Sequence, residues 1–139
     1  MKKILFTLLL VLGISAAADA QVRFLDSSTD AVRKEAIAQK KLVLIDLYAT
    51  WCGPCKAMER DVFSKKEVGD FMAKYFVAAK YDIDKPTGKE LAQKHAVRSI
   101  PTYLIFNTDG DLLGRITGSM PAKEFTDALQ KIVTETAKK

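Results

Sequence analysis

With 139 residues, 48% of them hydrophobic, and a formal net charge of +5, the chain can bury one core and is too short for two. Its basic residues are spread in ones and twos with no basic block interleaved with aromatics, which argues against nucleic acid as a partner. Two cysteines and a single histidine fall short of a closed four-ligand zinc site, so no metal is expected.

The chain opens on a basic Met1-Lys2-Lys3, an apolar run from Ile4 to Ile14 and an A-x-A pattern at Ala18-Asp19-Ala20. This predicts a signal peptide over residues 1–20, cleaved after Ala20, ahead of one exported domain over residues 21–139. An uncleaved anchor is the competing reading, although the apolar run is short for a membrane span. Phe24 to Asp30 is short and polar-ended, and Asp26, Ser27, Ser28 and Thr29 all offer helix caps. Ala31 to Lys41 then places Val32, Ala36 and Ile37 on one helical face. Leu42 to Tyr48, apolar and β-branched around Asp46, predicts a buried strand. Lys56 to Asp61 continues a helix that begins in the cysteine turn, and Val62-Phe63 reads as an apolar plug. Ser64, with Glu67 three residues on, has the form of a capping box. The helix it would open carries Val68, Phe71, Met72 and Tyr75 inward.

Phe76 to Ile83 predicts the next strand, Asp84 to Gly88 a break, and Lys89 to Ala96 a short helix bearing His95 in a surface or cap role. Tyr103 to Asn107 and Leu112 to Thr117 predict a hairpin joined at Thr108-Asp109-Gly110-Asp111. Pro121 suits a first helical position, although Met120 before it makes a poor cap. The last helix turns Phe125, Leu129, Ile132 and Val133 inward. This order makes an α/β domain: a βαβ crossover, a hairpin and a C-terminal helix, forming a mixed sheet with helices on both faces.

Both cysteines fall in Trp51-Cys52-Gly53-Pro54-Cys55, where strand chemistry gives way to helix chemistry. A cysteine just ahead of a helix meets unpaired N–H groups and the positive end of the dipole, and both favour thiolate. Cys52 is therefore the candidate nucleophile, predicted to be open to solvent, and Cys55 the candidate resolving thiol. A structural staple is a poorer reading, because a bridge across so short a loop restrains the unfolded chain by only roughly 2 kcal/mol. A two-thiolate metal site and a pair of idle core thiols are the remaining alternatives.

The stretch WCGPCK at Trp51 to Lys56, Asp46 six residues before Cys52, Lys80 in the following strand, Ser99-Ile100-Pro101-Thr102 and Gly118 together resemble the thioredoxin-fold oxidoreductases. The resemblance runs from about Val32 to the last helix and implies the thioredoxin fold. It implies a redox disulfide between Cys52 and Cys55, with Cys52 attacking a substrate disulfide and Cys55 releasing the product. Asp46 would lie buried beneath the pair and exchange a proton with Cys55, and Lys80 would tune it. Its sequence neighbours Ile45 and Leu47 leave open whether Asp46 faces solvent instead. Pro101 would carry a cis peptide bond, and Ile100 would offer backbone groups to substrate beside Trp51, Gly53 and Pro54. No cofactor is implied.

Two departures narrow the resemblance. Arg60 stands where cytosolic thioredoxins usually have proline, and Cys55 to Phe63 resembles exported thioredoxin-like proteins and the C-terminal domains of transmembrane thiol-electron transporters. Tyr48 stands where tryptophan is common, a change expected to tune packing only. The expected function is thus an exported, periplasmic or otherwise extracytoplasmic, thiol–disulfide oxidoreductase acting on protein disulfides. It is expected to be a monomer and a reductase, because Gly53-Pro54 and Ile100 resemble the reducing members, with a membrane thiol-electron transporter as donor. A disulfide oxidase or isomerase is the alternative, as is a peptide- or copper(I)-binding module with little turnover.

Overall fold

The computed structural model describes residues 21–139, so the predicted signal peptide lies outside the described residues. The elements are β1 (Phe24–Leu25), α1 (Thr29–Gln39), β2 (Leu42–Tyr48), α2 (Gly53–Met58) continuing as a π-helical turn (Glu59–Phe63), α3 (Lys66–Tyr75), β3 (Phe76–Asp82), α4 (Pro86–Lys94), β4 (Thr102–Phe106), β5 (Leu112–Thr117) and α5 (Ala122–Ala137). The strands form one sheet in the order β1-β3-β2-β4-β5. β1, β3 and β2 run parallel, while β4 runs antiparallel to both of its neighbours, β2 and β5. This is the mixed sheet and crossover that the resemblance implied.

β2 is apolar apart from Asp46 because both of its faces are covered, as parallel strands in α/β sheets require. Leu44, Tyr103 and Ile105 pack with Met58, Val62, Phe63, Val68, Met72, Phe125 and Leu129 from α2, its π turn, α3 and α5. On the other face Val43, Ile45, Leu47 and Leu104 meet Val32 and Ala36 of α1, with Leu91 and Ala92 of α4 beside them. Gly114 of β5 is a close approach: a Cβ there would stand 2.6 Å from Ile132 Cδ1, so glycine lets α5 lie down on the sheet.

Several local expectations are corrected. β1 was not foreseen: two residues suffice because Phe24 pairs with Ala78 and sets its ring edge-on to Phe63 at 5.2 Å. α1 begins at Thr29, with Ser28 Oγ accepting from the Ala31 N–H at 3.2 Å, and Ile37 is exposed rather than inward. The capping box at Ser64 does not form. Ser64 Oγ donates to the Arg60 carbonyl, and α3 starts one residue later behind Lys65 with no side-chain cap. α4 starts at Pro86, and Met120 is not a cap, since Pro121 holds that position and the Met120 N–H points to Met58 Sδ. His95 does close α4, its ring edge-on to Phe106.

Candidate active site

β2 ends at Tyr48, and the chain turns back through Ala49, whose carbonyl accepts from the Cys52 N–H at 3.2 Å. That turn puts Cys52 at the N-cap of α2, where its Sγ accepts from the Cys55 N–H at 3.1 Å. Pro54 occupies the first turn, where a missing N–H costs nothing. Cys52 and Cys55 form a disulfide, with an S–S distance of 2.10 Å and Cα atoms 5.3 Å apart. The pair sits at the carboxyl end of the central parallel strand, where open α/β sheets place their sites.

One expectation about the pair is overturned. In the oxidised state Cys52 is not open to solvent: 3% of its surface is exposed, against 6% for Cys55. The cause is a small apolar cluster in which Ala49 and both cysteines are covered by Tyr48, Ile83 and Ile100. The approach lies over the rim instead. Trp51 is 66% exposed, Gly53 and Pro54 are exposed, and the space a Gly53 side chain would fill is open for 4 Å around. Across the site, the Ile100–Pro101 bond is cis, with Ile100 half-buried and Pro101 buried. The Pro101 carbonyl accepts from the Gly118 N–H at 2.9 Å.

Asp46 settles on the same face of the sheet as Tyr103, 4% exposed, with Oδ1 lacking any hydrogen-bond partner. Burial pushes its carboxyl up to about 7, the Lys80 charge holds it lower than burial alone would, and the Glu59 charge adds a smaller rise. Lys80 is paired with Asp46 in strand register, yet its ammonium bonds Glu59 Oε1 at 2.7 Å and lies 5.0 Å from the Tyr48 ring centroid. Burial draws Lys80 down, and the Glu59 bond and charge outweigh it, so its pKa stands above its ordinary value. Tyr48 is therefore more than packing, since its ring face holds the cation.

Sequence reasoning missed four neighbours. Glu59 falls four residues after Cys55 on the continuing helix, a spacing that could have revealed it. Ile83 covers the cysteines from the residue after β3, and Asp84 Oδ2 accepts from Trp51 Nε1 at 2.7 Å. Tyr103 lies across from Asp46 on β4. The charge pair around Asp46 makes a two-sided prediction. Lys80→Met raises the Asp46 midpoint above 7 and Glu59→Gln lowers it, as carboxyl NMR titration would read; shifts of the same sign would contradict this placement of the charges.

Exchange between the enclosed disulfide and an incoming thiolate, on a turn whose preceding strand carries a carboxyl able to hold or release a proton near neutral pH, is chemistry the arrangement can do. The class it defines is the thioredoxin-fold thiol–disulfide oxidoreductases with a Cys-x-x-Cys pair. The chain belongs to the family of the thioredoxin-like domain, whose model matches residues 29–132. It is 39% identical over 87 residues to thioredoxin-1 of Saccharomyces cerevisiae, covering 63% of this chain and 78% of that one. Over 98 residues it is 35% identical to the thiol:disulfide interchange protein DsbD of Photorhabdus laumondii, covering 66% of this chain and 16% of that much longer protein. Among solved structures it is similar to a Bacteroides thetaiotaomicron protein provisionally assigned as a disulphide-isomerase. That match has TM-score 0.75 and 35% identity, and covers 85% of this chain and 97% of the other.

Proposed function

We propose that the domain is exported and works there as a reductase of protein disulfides. The reading rests on the charge around the cysteines. The strand leading into the cysteine turn and the helix continuing from it carry the carboxyls of Asp46 and Glu59, with Lys80 tied to Glu59. No histidine stands between the cysteines, and His95 sets its ring edge-on to Phe106 at the far end of β4. Acidic surroundings disfavour a thiolate, and a dithiol with a less stabilised thiolate gives up electrons more readily.

The reaction then balances in two exchanges. The Cys52 thiolate attacks one sulfur of the substrate disulfide, and the other sulfur leaves as a thiolate and takes a proton from solvent. Cys55 yields its proton to the Asp46 carboxylate and attacks Cys52 Sγ. The substrate's remaining sulfur leaves, and the Cys52–Cys55 disulfide is restored. Two electrons have passed to the substrate. Trp51, Gly53 and Pro54 on one side and Ile100 and Pro101 on the other would border the substrate chain. Outside the cytoplasm such a dithiol needs its own electron supply. Similarity to DsbD supports a membrane thiol-electron transporter in that role, and the A-x-A pattern before Gln21 supports export.

Equilibration with glutathione buffers tests the direction. A reduction potential below about −200 mV is expected, and one near −120 mV would instead mark an oxidant. Similarity to the disulphide-isomerase-like protein favours isomerisation as the second reading, which a value near about −180 mV would support.

A further inference from the structure

Among the described residues, two side-chain polar atoms are buried with no hydrogen-bond partner: Asp46 Oδ1 and the Tyr103 hydroxyl. Their coincidence is not accidental in position. Asp46 and Tyr103 are directly opposed across the antiparallel β2–β4 pair, so their side chains rise from the same face of the sheet, with Cβ atoms about 5 Å apart. Tyr103 is fully buried, and its ring is clamped edge-on by Phe125 at 5.0 Å and Phe63 at 5.9 Å. The hydroxyl is thus held in place and cannot swing to water. Buried polar atoms without partners are rare, and the ordinary remedy is one enclosed water shared between them.

We infer that Tyr103 is a positioning residue for proton transfer at the buried cysteine, its hydroxyl donating through one enclosed water to the Asp46 carboxylate. A hydroxyl keeps its proton here, because burial and then the Asp46 and Glu59 charges push it above its ordinary range, so it serves as a donor throughout the cycle. Donation favours the ionised form of Asp46, the form that takes the Cys55 proton. The groups set against Asp46 are then Lys80 from β3, Glu59 from the π turn and Tyr103 from β4, and Tyr103 supplies the neutral donor among them. The inference rests on the proton role of Asp46 and not on export or on the direction of electron flow, so the potential measurement above fails or succeeds independently of it.

The test is carboxyl NMR titration of Asp46 in the oxidised wild type and in Tyr103→Phe, which keeps the ring and its clamps. Loss of the donor should move the midpoint upward by about half a unit to one unit, and the alkaline limb of the disulfide-exchange rate should move with it. A midpoint unchanged within a tenth of a unit would overturn the inference and leave Tyr103 as packing alone. Should the variant fail to fold, the wild-type protein answers the same question. The Tyr103 Cζ resonance should inflect at the Asp46 midpoint, near 7, and a flat response across that range would overturn the inference.

Discussion

Asp46→Asn stabilises the oxidised protein at pH 8 by up to roughly 4 kcal/mol, an effect that shrinks toward nothing near pH 4. The folded carboxyl titrates at about 7 against an ordinary value of 3.8, because burial disfavours its charge. The sign follows from proton counting. Between those two values the unfolded chain has released the proton and the folded chain keeps it, so wild-type stability falls as pH rises through that window and levels off above 7. At about 1.4 kcal/mol per unit the three-unit gap gives the figure quoted. Asparagine does not titrate and escapes the loss. The same change removes the proton acceptor for Cys55, so the resolving step should slow by about 10²-fold or more while the first attack survives. Urea unfolding at pH 4 and pH 8 checks the first part, and accumulation of mixed disulfide in single-turnover kinetics checks the second. Equal stability change at both pH values would place the carboxyl in an ordinary solvated setting.

Cys55→Ser should leave the protein arrested with its substrate, whereas Cys52→Ser should abolish exchange and capture nothing. The asymmetry comes from local structure: Cys52 is the N-cap of α2 and already accepts the Cys55 N–H, while Cys55 is the third residue of the helix. Removal of the resolving sulfur stops the second exchange and preserves the bond formed in the first. Insulin reduction should drop to background in both variants, and non-reducing gels should show adducts with Cys55→Ser alone. Adducts with Cys52→Ser would reverse the roles.

Much of this was legible in the chain. β2 declares itself because a strand buried on both faces is made almost wholly of apolar residues, and the one carboxylate inside it, Asp46, stands out for that reason. The cysteine turn was legible from Gly53 and Pro54 at a strand-to-helix junction. What escaped depends on distant partners. β1 is two residues long and exists only because β3, some fifty residues away, offers an edge. The π turn at Glu59–Phe63 has no composition that separates it from the helix before it, and its course diverts Ser64 from capping. Glu59 and Tyr103 join the site through helix continuation and strand register, and neither residue is unusual alone. The enclosure of Cys52 was misjudged because Ile83 and Ile100, which cover it, lie in other segments of the chain.

The account depends on Cys52 being the sulfur that partners reach, despite its enclosure in the oxidised state. Alkylation of the reduced protein with a brief pulse of iodoacetamide at neutral pH, followed by peptide mass mapping, tests this most directly. Label should appear on Cys52 first, with Cys55 reacting only after denaturation. Earlier label on Cys55, or none on either residue until the protein is unfolded, would contradict the account.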